Sequence, residues 1–114
     1  MAYDEGLAAR VREHLAARDD IGIGNVEEKK MFGGLCFMVA GHMCCGIVGD
    51  TLMLRVGPQQ YSECLGLPHA REMDFTGKPM KGMLYVDAEG ITEDEELAVW
   101  ITRSLRFISG LPSK

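Results

Sequence analysis

Three apolar runs, Leu35 to Val39, His42 to Val48 and Thr51 to Val56, are separated by gaps of two residues each. Nothing else in the chain constrains the fold as tightly, because a two-residue connection between such runs marks a tight β-hairpin. Gly49-Asp50 suits a primed turn: Gly takes a positive φ without strain, and Asp tolerates the second position. Ala40-Gly41 is a poorer pair, since Ala is a weak first turn residue. Together they predict a three-stranded antiparallel meander.

Two-residue loops also set the register, and register sets the faces. The expected pairs are Val39 with His42, Phe37 with Cys44, Leu35 with Gly46, Val48 with Thr51, Gly46 with Met53 and Cys44 with Arg55. One face then carries Cys36, Met38, Met43, Cys45, Ile47, Leu52, Leu54 and Val56. It has no polar residue and is expected to lie under helices. The opposite face is mixed, and a two-layer fold leaves it uncovered. Phe37, Val39, Cys44, Val48, Met53 and Arg55 are therefore the candidate interaction surface, for a protein partner or a weak homodimer. The alternative is a loop or the C-terminal tail lying over that face.

A length of 114 residues predicts one domain, residues 1–114, with a single core. The net charge of −5 argues against direct nucleic-acid binding, which needs a basic surface. Four cysteines with no leader-like start read as reduced thiols in the cytoplasm. No apolar run has the length of a membrane span.

Around the meander the signals alternate. Residues 4–18 read as an amphipathic helix capped by Asp4, with Leu7, Val11 and Leu15 on one stripe; Gly22 and Gly24 end it. Val26 to Phe32 reads as an edge-like strand, because Glu and Lys alternate poorly with apolar residues. Residues 57–66 read as a short helix with Pro58 in its first turn and Gly66 at its stop. Arg71 to Phe75 and Gly82 to Val86 are strands about a turn cluster at Thr76 to Pro79. Residues 92–109 form the last helix, with Thr92 and Glu95 as a capping box and Leu97, Ile101, Leu105 and Ile108 as its buried stripe. The reading is an α+β fold.

Lys30-Met31-Phe32-Gly33-Gly34, the hydrophobic hairpins after it, the Gly49-Asp50 turn leading into Thr51-Leu52-Met53-Leu54-Arg55, and the closing helix carry a resemblance. On these residues the chain resembles the N-terminal domain of the TfoX/Sxy family of competence regulators, over nearly its whole length. The resemblance implies a two-layer α/β sandwich of order α-β(3)-α-β(2)-α with an antiparallel sheet, sometimes with an added edge strand. Full-length members join this domain to a C-terminal domain of DNA-binding character and act alongside the cyclic AMP receptor protein. No second domain is expected in these 114 residues. The resemblance supplies no catalytic residues, cofactor or metal, so the expected role is a small, non-enzymatic regulatory or interaction domain.

Sulfur is the one competing chemistry. In the expected register Cys36 faces Cys45, beside Met38 and Met43, a donor set that suits a soft ion such as Cu(I). Cys44, on the opposite face beside Arg55 and near His42, is a candidate for a thiol of lowered pKa. A thiol- or soft-metal-responsive protein is thus the alternative. The bland reading is that Cys and Met simply fill the core. His14 and His69 are isolated, and Glu93 to Glu96 are a helix start. No phosphate loop, nucleophilic triad or zinc motif occurs.

Overall fold

The computed structural model describes residues 3–17, 26–31, 33–75 and 78–111, with backbone only at 31, 74, 75 and 78–81. Helix α1 (Glu5–Ala16) starts where the Asp4 carboxylate accepts the Gly6 and Leu7 N–H groups, at 2.8 and 3.2 Å. It buries Leu7, Ala8, Val11 and Leu15. The glycine break expected at Gly22 and Gly24 lies outside the described residues. Strands β1 (Val26–Met31), β2 (Gly34–Val39), β3 (His42–Val48) and β4 (Thr51–Arg55) follow. Helix α2 (Pro58–Leu65) has Pro58 in its first turn, as expected. Strands β5 (Ala70–Phe75) and β6 (Lys78–Val86) precede a short 3-10 turn at Ala88–Ile91 and helix α3 (Asp94–Ile108).

Strands β1 to β6 form one antiparallel sheet in the order β1-β2-β3-β4-β6-β5. The two-layer α+β architecture is as the sequence implies, and β1 is the added edge strand. Strand β6 is longer than expected and includes Pro79. Its pairing with β4 begins only at Arg55 with Met83, so Pro79 lies past the end of β4 and interrupts no ladder on that side. The cap of α3 also sits one residue later than expected. The Thr92 hydroxyl donates to the Ala88 carbonyl at 3.2 Å, and the reciprocal pair is Glu93 with Glu96, whose Oε1 accepts the Glu93 N–H at 3.1 Å.

The faces of β2 are the main correction. Val39 pairs with His42 and Met38 with Met43, but Phe37 pairs with Cys45 and Leu35 with Ile47. Cys44 is an extra residue on β3, a β-bulge, and every β2 partner beyond it is shifted by one. Cys44 and Cys45 therefore both join the helix-side core, along with Leu35, Phe37 and Val39. The bulge has a cause in the helix layer: the buried Ser104 hydroxyl on α3 donates to the Cys44 carbonyl at 2.8 Å. The expected pairing of Cys36 with Cys45 does not form, because Cys36 faces Gly46.

Helices α1, α2 and α3 feed the helix-side core. Leu7, Val11 and Leu15 from α1, Cys64 from α2, and Leu97, Trp100, Ile101 and Leu105 from α3 pack on Ile47, Leu52, Leu54, Leu84 and Val86. Polar clamps lock the layer. The Arg10 guanidinium donates to the Ile91 carbonyl at 2.8 Å and pairs with Asp94 at 3.0 Å, tying α1 to the start of α3. The Gln60 amide donates to the Val56 and Arg103 carbonyls, each at 3.1 Å, tying α2 to α3.

Candidate functional site

The far face of the sheet, away from the helices, has a core of its own. Cys36, Met53, Met73 and Met83 are buried there, and half-buried Met43, Val48 and Tyr85 pack around them. None of these residues comes from a helix. One cross-strand row runs Cys36, Gly46, Met53, Tyr85, Arg71. Gly46 has no side chain, and the Cys36 thiol and Met53 methyl occupy the space above it. At the end of the row Arg71 lies over the Tyr85 ring, 5.2 Å from its centroid, and pairs with Asp87 at 2.7 Å. The face is thus a polarizable floor of Cys and Met with a partly exposed apolar rim.

The six residues expected on this surface divide. Val48 lies on the rim and Met53 is its fully buried floor. Phe37, Val39 and Cys44 are corrected to the helix-side core, a consequence of the bulge. Arg55 is half-buried over the Phe107 ring of α3, at 5.2 Å. Met43 moves to this face from the set expected under the helices. Met73, Met83 and Tyr85 were not anticipated, because the β4–β6 pairing spans a helix and a strand; the alternation Met83-Leu84-Tyr85 is its only local sign.

The Lys30-Met31-Phe32-Gly33-Gly34 motif is structural over its described part. Lys30 and Met31 end β1, Gly33 turns at φ 77°, and Gly34 begins β2. A Cβ on Gly34 would strike the Ile47 carbonyl of β3, so only glycine lets the strands close there. Phe32 lies outside the described residues.

The cysteines are buried, and none is in a disulfide. Burial pushes the Cys36 thiol from an ordinary 9.0 up to about 11. Cys45 is raised well above its ordinary value, first by its hydrogen bond with Cys44 and then by burial. Burial also raises Cys64, with Arg103 opposing the shift. Cys36 and Cys45 lie on opposite faces, so the soft-ion pair expected under the helices does not form. Among the described residues no group of three or more His, Cys, Asp or Glu side chains has the arrangement to hold a metal.

These shifts have a pH consequence. A thiol titrating higher in the folded than in the unfolded chain favours folding fully below the unfolded value and loses that contribution as pH rises through the folded one. The urea midpoint is therefore expected to fall from about pH 9 toward pH 11. At neutral pH, iodoacetamide should label Cys36 and Cys45 only after unfolding, since the thiolate is the nucleophile. Rapid labelling of the folded protein would contradict this assignment.

An open concavity of about 260 Å³ lies between the α2–β5 connection and α3, where Leu67, Pro68 and His69 face Val99 and Trp100. Arg103 already stacks on Trp100 at 4.6 Å. Val99 is the exposed large apolar side chain among the described residues, at 49%.

No curated protein and no solved structure gives a significant match to the chain. The family model for the TfoX N-terminal domain matches residues 21–108, a span that takes in all six strands, α2 and α3. With well over half of its length matched, the chain belongs to the TfoX N-terminal domain family.

Proposed function

We propose that this chain is a small, cytoplasmic, non-enzymatic regulatory domain that works by docking a protein partner on the far face of its sheet. The observation that carries this reading is the strand-only cluster. Its rim of Met43, Val48 and Tyr85 stays partly in water while α1, α2 and α3 pack on the other side. Apolar surface left in water is unfavourable by about 25 cal/mol per Å², and a docked partner removes that cost. Membership of the TfoX N-terminal domain family is consistent with a regulatory role. Cysteines held in no disulfide fit a cytoplasmic setting. No helix among the described residues is long and apolar enough to cross a membrane.

The thiol- or metal-responsive alternative has less support. It needs an accessible thiolate or convergent donors, whereas the thiols are buried and raised in pKa. Duplex DNA is a poor partner for a net charge of −5, so no gel shift is expected at physiological salt.

The test is co-purification from the native host with tagged wild type and a Met43→Lys/Val48→Lys variant. The rim carries little of the core, so the variant should keep the wild-type circular dichroism spectrum while losing a protein that wild type retains. Equal retention by a folded variant, or a duplex-DNA complex of sub-micromolar affinity, would overturn the proposal.

A further inference from the structure

Strand β1 pairs with β2 on one side and stands at the end of the sheet order. Among the described residues no strand pairs with its other edge. Such edges are usually blunted by charge, because an unpaired row of N–H and C=O groups is a template for a second chain. The charges on β1 are not uniformly repulsive: the strand reads Val26-Glu27-Glu28-Lys29-Lys30-Met31.

Their sides are fixed by the fold. Glu28 faces the helix layer, where its two carboxylate oxygens accept the Arg12 Nε and Nη2 groups at 2.6 and 2.7 Å. Alternation along the strand then places Glu27 and Lys29 on the far side, and both are exposed. Two copies of a strand paired antiparallel in one sheet are related by a twofold axis perpendicular to that sheet. Directly opposed residues project to the same side, so the axis must pass through a residue rather than between two.

Centring the axis on Glu28 sets Glu27 opposite Lys29 of the second copy, and symmetry repeats the pair. The two Glu28 side chains meet across the axis, but each already holds its own Arg12, so four charges of alternating sign come together. Centring on Lys29 instead opposes two lysines on the far side and offers Lys30 only a carboxylate already committed to Arg12. Opposite charges across a strand pair are favourable and like charges are unfavourable by similar amounts. The Glu28 register wins on that comparison.

We infer that β1 is a self-complementary edge through which two copies of this chain join, making one continuous antiparallel sheet with its twofold axis at Glu28. Backbone ladder bonds supply the attraction, and the Glu27–Lys29 pairs select the register. A six-residue edge is a small contact, below the roughly 1,200 Å² typical of stable complexes, so the dimer is weak and reversible. The perpendicular axis keeps both helix layers on one side and both far faces on the other. This surface is separate from the proposed docking rim and uses different residues.

Sedimentation equilibrium of the full chain at low salt, up to about millimolar concentration, tests the inference. Wild type is expected to show a monomer–dimer equilibrium. Glu27→Lys and Lys29→Glu should each weaken association at least about tenfold, since each turns both symmetric pairs into like charges. An equimolar mixture of the two variants should dimerise about as well as wild type, because every introduced charge then faces its opposite. Circular dichroism checks that both variants fold. A wild type that stays monomeric throughout, a dimer that either folded variant leaves unchanged, or a failure of the mixture to recover would overturn it.

Discussion

Replacing Phe37 with alanine is expected to cost about 3–5 kcal/mol of stability and to lower the melting temperature by roughly 15 °C or more. The magnitude follows from where the bulge at Cys44 places the ring. Phe37 is fully buried on the helix side, opposite Cys45, in the cluster that α1 and α3 cover. Truncation removes its transfer free energy and leaves a cavity that strands on both sides hold open. Against a typical total of about 5–15 kcal/mol, this is a large fraction of the fold. Val48→Ala is the control, because Val48 is only half-buried on the far rim and should cost about 1 kcal/mol or less. Without the bulge, Phe37 would lie on the far face beside Val48. Equal losses for the two variants, measured by urea denaturation, would put it there.

Gly57→Ala should be nearly as damaging, for a different reason. Gly57 caps α2 at φ 82° and ψ 164°, a backbone region that only glycine enters readily, at a penalty of about 1–3 kcal/mol for other residues. A Cβ there would also run into the Phe107 ring, whose own neighbour is Arg55. The clash adds about 1–3 kcal/mol of overpacking. Relief by backbone movement is blocked, because Val56 and Gly57 both donate to the Gly82 carbonyl, at 2.9 and 3.1 Å. The expected total is about 3 kcal/mol or more. A loss under about 1 kcal/mol would mean that this junction is softer than its geometry indicates.

The contrast between these two sites shows what the amino-acid sequence discloses. Hairpins joined by two residues, the Pro58 helix start and the stripe of α3 are local, and each was legible from spacing alone. The Cys44 bulge was not. It depends on Ser104, sixty residues away, donating to the Cys44 carbonyl, and no local pattern announces that bond. Because side chains alternate with a period of two, the single extra residue moves Phe37 and Val39 into the core and frees Met43 from it. The candidate site was therefore legible only in part. Val48 and Met53 belong to the far face, whereas Met83 and Tyr85 reach it only through the β4–β6 pairing and Met73 through β5 beyond it. The cap of α3 moved by one residue for a local reason: Thr92 closes the preceding 3-10 turn and leaves Glu93 to pair with Glu96.

The far face as the working surface is tested most directly by photo-crosslinking inside the host cell. A photoreactive side chain is placed at Val48 on the far rim and, in a separate chain, at Val99 on the exposed side of α3. Position 48 is expected to give one reproducible protein adduct that disappears when Met43→Lys is added, while position 99 gives none in common with it. Reproducible adducts from position 99, with none from position 48, would contradict the account.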